Sequence, residues 1–492
     1  MKSMKRTVLG LVMGIWVGIV GLVGAAERPN FVFFITDDIS PEDLGCYGSE
    51  LIETPNLDAI AEGALVFDRA YLTISSCSPS RCSMITGRYP HNTGAPELHT
   101  RLPADRYTFV QGLRDAGYYT YLSGKNHMGE ATDLGFAGSS DSKPAGSEKW
   151  VTHLQERPKD QPFFFWFASH DAHAAFTIDD KAPEYDPATV PVPPMLFDGP
   201  LTREDLAGYY HEVSRTDYYA GEVMKELEAQ GIADNTYFIY CADNGRPFPR
   251  CKTYMYDSGI RTPLIIAGPG VEAGRTDSMV SSVDFAATIL DLAGVAAPES
   301  VQGVSFAVVL SDPEAEVRDV AFSERNWHVY QTHERAVRMG DWLYVWNAWP
   351  ELHNTSGESS WINKFGAARE LWEAAAAGEL SKAQALLTKA PQPEEMLFNV
   401  KDDPNQFKNL AGDERHGETL KRMRALLGEW QEETADSVPS DPTPDREGLH
   451  GGDGRKGLRK EWKHREFAGA ERGAMEVNAP GPVLVGGKES AR

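Results

Sequence analysis

Cysteine is scarce in this chain: five residues among 492, at Cys46, Cys77, Cys82, Cys241 and Cys251. The count is odd and too sparse for a disulfide-stapled scaffold, so a hydrophobic core must carry the fold. Positive charge is also in short supply. Lys and Arg number 48 against 72 Asp and Glu, for a formal net charge of −24. So acidic a surface argues against nucleic acid as a partner and repels anions at long range, so any anion site must be locally basic. No internal repeat is visible.

What is present begins with a basic start, Lys2, Lys5 and Arg6, followed by one apolar run from Val8 to Val23 and the small residues Gly24 and Ala26. This pattern predicts a secretory signal peptide over 1–26. The competing reading is a membrane anchor, for which the run is short. No cysteine follows the run to carry a lipid. Cleavage removes three positive charges and no acids, taking −24 to −27. The mature chain is expected to be periplasmic or secreted, without a stable membrane anchor, and its length suggests two domains.

Three continuous apolar runs read as buried parallel strands: NFVFFITDD (30–38), PFFFWFASHDAH (162–173) and TYFIYCADNG (236–245). Helical patterns lie between them at 57–64, 108–117 and 211–231. The alternation predicts an α/β fold with a mostly parallel sheet sandwiched by helices. Each run ends in polar residues: Asp37 and Asp38, His170 and His173, Asp243 and Asn244. In such sheets ligands bind at the carboxyl ends of the strands. One such pair could simply cap the next helix; three coincident ends point to a site. The segment 335–347 reads as a hairpin turning at Gly340-Asp341, followed by an Ala-rich helical stretch (366–389) and a helix near 415–433. The expected organisation is a catalytic domain over 27–334, a smaller C-terminal α+β domain over 335–435, and a loosely ordered polar tail over 436–492.

The stretch SSCSPSRCSMITGR (75–88) concentrates the chemistry. Pro79 suits the first turn of a helix, which would set Cys77 at its N-terminus among free N–H groups and the positive dipole end. Arg81, four residues on, can reach the same turn. The result is an anion pocket around a nucleophile, where a plain thiol would also be activated. Two blander readings remain: a buried core cysteine, or half of a Cys77–Cys82 metal pair, for which no further Cys or His stands at ligand spacing.

C-S-P-S-R followed by M-I-T-G-R resembles the signature of the type I sulfatases of the alkaline phosphatase superfamily. The resemblance spans roughly 28–300 and the segment LFNVKDDPNQFKNLA (397–411), where Gln406 stands in place of the usual acid. It implies an alkaline-phosphatase-like fold and oxidation of Cys77 to formylglycine (3-oxoalanine) by a maturation enzyme. The hydrated aldehyde would be the nucleophile. It implies one calcium ion held by Asp37, Asp38, Asp243, Asn244 and the residue made from Cys77. Lys125 and His127 of SGKNHMG, His173 of SHDAH, and Lys252, four residues before Tyr256, match the remaining catalytic positions. Arg81 would hold the hydrate, Lys125 and Lys252 would neutralise sulfate oxygens, His173 would protonate the leaving group, and His127 would take the proton that lets sulfate depart.

The run DNGRPFPR (243–250) looks closest to the N-sulfoglucosamine sulfohydrolase branch and its bacterial relatives, so a sulfated saccharide is the expected substrate. Arg246, Arg250, Arg325, Asn326, Trp327 and His328 are the candidate sugar contacts, with Trp327 equally readable as core. Two rivals remain: a phosphonate or phosphate diester hydrolase of the same superfamily, and a non-catalytic glycan-binding relative.

Overall fold

A computed structural model of the protein describes residues 28–352, 365–445 and 470–484. The expected signal peptide lies outside these residues, and among the described residues no helix is long and apolar enough to cross a membrane. In chain order the strands are β1 (Asn30–Thr36), β2 (Leu65–Phe67), β3 (Ala70–Tyr71), β4 (Tyr119–Gly124), β5 (Gly138–Ser140), β6 (Phe163–Ala168), β7 (Thr236–Ala242), β8 (Leu264–Ala267), β9 (Gly274–Thr276), β10 (Val280–Ser281), β11 (Val320–Arg325), β12 (Glu334–Met339), β13 (Trp342–Asn347) and β14 (Glu395–Asn399). An eight-stranded sheet runs β5-β4-β6-β1-β7-β8-β2-β9. The three apolar runs are its centre: β1 pairs in parallel with β6 and β7, with Phe33 opposite both Trp166 and Ile239. β8 runs antiparallel to β7 and β2, which makes the sheet mixed.

Both faces of the centre are covered, which is why these strands are apolar at every position rather than at alternate ones. Phe31, Phe33 and Ile35 pack toward the helices Phe109–Asp115 and Phe285–Leu292. Val32 and Phe34 pack toward Trp150–Glu156 and Pro200–Ala229. That last helix starts eleven residues before the expected 211, because Pro200 suits a first turn and Glu370 accepts from the Leu201 and Thr202 N–H groups.

β11-β12-β13-β14 form a separate antiparallel sheet. It begins at Val320, so the boundary expected after residue 334 falls inside this sheet, one residue into β12. β11 is also tied to the catalytic domain by Glu324 N–H to the Thr73 carbonyl (2.7 Å) and Ser323 Oγ to the Leu72 carbonyl (2.6 Å). The Ala-rich helix is Gly366–Ala377, ended by Gly378 at φ 74°, well short of 389.

The expectation of a loose tail from 436 is corrected for its described parts. Asp436 is buried against Arg335 at 2.7 Å. Residues 470–484 return to the catalytic domain, where the buried Arg88 donates to Asn478 Oδ1 and to the carbonyls of Met475 and Val477. Polar composition hid this, because the partners are buried arginines far away in sequence. Deleting 470–492 should leave Arg88 to the Asn92 and Ser300 carbonyls and destabilise the protein by about 2–5 kcal/mol. Denaturant titration measures this; an unchanged midpoint would show that the segment adds nothing to the fold.

Candidate active site

Backbone bonds at the sheet's carboxyl edge bring the polar ends together. Asp37 N–H donates to the Asp171 carbonyl (2.8 Å), Ala172 N–H to the Asp37 carbonyl (2.6 Å), and Asp243 N–H to the Thr36 carbonyl (3.1 Å). Asp38 adopts φ 57°, a left-handed conformation that Asp tolerates better than most residues, and β1 breaks off there. Lys125 N–H bonds the Ala168 carbonyl at the end of β4. Gly124 before it has φ 97°, and a Cβ there would lie 1.8 Å from that same carbonyl oxygen, so only glycine lets β4 deliver Lys125.

Cys77 opens the helix Cys77–Thr86, every residue of which is buried, with Pro79 in its first turn as expected. Thr253 N–H bonds Ser75 Oγ and the Ser75 carbonyl, which docks the Lys252 loop beside the entry to this helix. Ligand atoms of Asp37, Cys77 and Asp243 all lie within 4.8 Å of one another. Three cations interlock with the acids. Lys125 Nζ contacts Asp37 Oδ2 directly, Lys252 Nζ lies 2.9 Å from Asp38 Oδ1, and Arg81 Nε donates to Asp243 Oδ2 at 2.8 Å. Asn244 Nδ2 donates to Asp38 Oδ1. Of these six charged side chains Lys125 is the most open, at 13% exposure.

Burial favours neutral carboxyls here, and the local charges decide which one escapes. Against burial, Lys125 above all, then His173, Lys252 and Arg81, hold Asp37 well below the usual carboxylate range. Burial prevails at Asp38, where Lys252 opposes it and Asp37 reinforces it, and pushes that carboxyl up to about 7. Asp243 is raised by burial and by the Asp37 charge, despite Arg81. Asp37 Oδ1 and Asn244 Oδ1 are buried with no hydrogen-bond partner among the described residues. Hard oxygens and orphaned lone pairs fit a divalent cation at the group formed by Asp37, Asp243 and position 77, with Asp38 and Asn244 beside it as further candidate ligands.

Burial also pushes the Cys77 thiol far up, outweighing Lys125 and Lys252. The activated thiolate expected at a helix N-terminus is therefore corrected: desolvation outweighs the nearby cations. His127 is held well below its ordinary value by burial, Lys125 and His99, and is neutral. His173 Nδ1 bonds the Ala174 carbonyl at 2.6 Å, and the ring's charge acts on Asp37 and Asp38.

Of the candidate sugar contacts, His328 alone is placed beside this centre: its Nδ1 bonds Ser76 Oγ at 2.7 Å, next to Cys77. The others are held by protein partners. Arg246 is clamped to Asp43 at 2.7 Å. Arg250 is fully buried, donates to the Asn405 and Gln406 carbonyls, and stacks 3.8 Å from the Tyr256 ring centroid. Arg325 pairs with Glu334 at 2.6 Å, Asn326 bridges Glu324 and Arg335, and Trp327 is 3% exposed with Nε1 donating to the Pro444 carbonyl. Gln406 Oε1 accepts from Asp257 N–H, a structural contact. Sequence reasoning missed His99, whose Nδ1 meets Nε2 of His127; no motif flagged it. All five cysteines are unpaired.

A buried helix start ringed by acids and cations at the carboxyl edge of such a sheet suits an anionic group. Residues 29–295 match the family model described as Sulfatase, and residues 250–342 match N-sulphoglucosamine sulphohydrolase, C-terminal. The chain belongs to the sulfatase family and is a sulfuric ester hydrolase. It is 28% identical over 461 residues to an ulvan-active sulfatase of Formosa agariphila, covering 82% of this chain and 75% of the relative. It is 28% identical over 489 residues to the human N-sulphoglucosamine sulphohydrolase, covering 85% and 92%. A structure solved in complex with its substrate D-glucosamine-2-N,6-O-disulfate shares the fold, with a TM-score of 0.63 and 21% identity over 82% of this chain and 98% of that one.

A cation held by Asp38 would bind in a pH-dependent way. Without a cation, the folded protein keeps a proton there that the unfolded chain has released, so this group's penalty to stability grows as pH rises toward 7. A cation must displace that proton at pH 6 but not at pH 8. Calorimetric titration with calcium or magnesium should therefore show affinity rising from pH 6 to pH 8; a pH-independent affinity would contradict this ligand role.

Proposed function

We propose that the protein is an exported, formylglycine-dependent, calcium-binding sulfatase that removes single sulfate groups from a sulfated saccharide, with N-sulfated glucosamine as the leading candidate. The observation that carries the reading is Cys77 itself. It lies buried at a helix start, disfavoured as a thiolate, and surrounded by cations suited to three oxygens of one sulfate. A cysteine in that setting makes sense as the precursor of another nucleophile. Its oxidation to formylglycine supplies, as the hydrate, a hydroxyl that needs no thiolate. Asp37, Asp38, Asp243 and Asn244 would hold calcium, which when bound supplies Lewis-acid polarisation of a sulfate oxygen.

The chain's own groups do the rest. Lys125 and Lys252 offset sulfate charge in a site nearly closed to water, where such contacts are strong. Arg81 is anchored by Asp243 and the Lys125 carbonyl, and its Nη2 is buried with no partner among the described residues. That leaves the two N–H bonds of Nη2 to orient an oxygen at position 77. The Ala174 carbonyl fixes one proton on His173 Nδ1, so Nε2 is the atom that gives its proton to the departing alcohol or amine. A cleft of about 450 Å³ bordered by Lys125, Asn126, His127, Asp141 and His170 is the place for the sugar. A larger cavity of about 860 Å³, lined by Arg246 and Arg250, includes none of the acids or cations around Cys77 and is not assigned to substrate. With the anion site nearly sealed, a terminal sulfate on a short saccharide fits better than one inside a polymer.

The N-sulphoglucosamine sulphohydrolase models and relatives support the saccharide class, and the ulvan-active relative keeps sulfated algal glycans in view. Protein from a host with a maturation enzyme should show formylglycine at position 77 by tryptic mass spectrometry. Cys77→Ala should lose essentially all turnover of an aryl sulfate while keeping its melting temperature. Fully active protein with unmodified Cys77 would refute the nucleophile, and faster hydrolysis of an aryl phosphonate would replace the reaction class. Chelation should abolish activity and calcium restore it; recovery with zinc but not calcium would mean a different ligand set.

A further inference from the structure

His99 belongs to no motif, yet it is built into the catalytic pocket. Its Nδ1 is in hydrogen-bond contact with Nε2 of His127, and the two rings lie 4.6 Å apart between centroids at 50°. Both residues sit in the left-handed region, at φ 64° and 61°, where non-glycine backbone is held only by its surroundings. At His99 those surroundings are explicit. Its N–H donates to Ser78 Oγ at 2.7 Å, one residue beyond Cys77. The preceding Leu98 N–H bonds the Trp327 carbonyl, and Leu98 is packed with Trp327, Val329 and Tyr330. Glu97 accepts from Thr443 Oγ1. Three separate segments therefore hold one strained histidine against His127.

The other nitrogen of His127, Nδ1, is buried with no hydrogen-bond partner among the described residues. Two tautomers are open to the pair. If His99 donated, His127 would carry a proton on Nδ1, a buried donor without an acceptor in surroundings made positive by Lys125 and Arg81. If His127 donates from Nε2, Nδ1 is a bare lone pair, which those charges favour. A neutral base whose Nδ1 is free to accept a proton needs the second arrangement.

We infer that His99 is a positioning residue: it accepts the Nε2 proton of His127 and thereby keeps His127 Nδ1 as the proton-accepting nitrogen of the site. This deepens the sulfatase reading and rests on it for the role of His127. Asparagine tolerates φ 64° and places a hydrogen-bonding atom near the position of a histidine Nδ1, so His99→Asn is the conservative variant and His99→Ala the disruptive one.

The test uses full-length, formylglycine-converted protein with calcium and an aryl sulfate. His99→Ala should lower kcat by about 10- to 100-fold with KM nearly unchanged, as removal of a group that orients a site ligand typically does, and His99→Asn should recover most of it. Unchanged kcat in His99→Ala, a rise in KM alone, or equal loss in both variants would overturn the inference. Long-range ¹H–¹⁵N spectra of the wild-type imidazoles give an answer even if the variants misfold. Protonation of His127 at Nε2 is expected, and protonation at Nδ1 would overturn it. If the wild-type protein fails to cleave aryl sulfate, the proposed function fails, while the spectra still judge the histidine pair.

Discussion

Three carboxylates and three cations buried in one pocket set the terms for the rest of the structure. None of Asp37, Asp38 and Asp243 is accessible, and taking an isolated carboxylate out of water is prohibitive unless opposite charge stands beside it. Lys125, Lys252 and Arg81 arrive from three different segments to meet that need. The parallel pairing of β1 with β6 and β7 brings the acids to one edge, and Gly124 lets β4 deliver its lysine. Behind the pocket, further buried pairs hold the loops in place: Arg215 with Asp171, and Arg246 with Asp43, which also accepts from Tyr209. Asp37 Oδ1 and Asn244 Oδ1 are left without a donor, and Arg81 Nη2 without an acceptor, among the described residues. A divalent cation and an anionic substrate would satisfy these two needs together.

The same dryness explains the treatment of Cys77. A helix N-terminus favours an anion, but only while water or a partner compensates the rest of the charge. Here desolvation dominates, and the thiol is held neutral. The dipole and the cations are better matched to a sulfate group whose charge is spread over several oxygens. Under the proposed function, position 77 would be an address for a modified side chain within a pocket that favours an anion.

Much of this was legible in the chain. The three apolar runs, unbroken by polar alternation, identified the central strands and their polar ends identified the edge that carries the site. Pro79 placed Cys77 at a helix start. What was not legible depends on long-range packing. Arg246, Arg250 and Arg325 look like free cations on a short stretch of sequence, but each is engaged by a partner that folding supplies: Asp43, the Asn405–Gln406 carbonyls and, across the β11–β12 pair, Glu334. The polar composition after 436 concealed acceptors for Arg335 and Arg88. His99 carries no motif because its role is defined by a contact with His127 twenty-eight residues away.

The account stands or falls on whether the buried acids hold a cation that completes the anion pocket. The direct measurement is calorimetric titration of the non-turning-over Cys77→Ala protein with N-sulfated glucosamine, with calcium present and again after chelation. Binding that is measurable with calcium and lost without it is the predicted result. Equal affinity in both conditions would show that the cations of the chain suffice alone and that the acid cluster has another purpose.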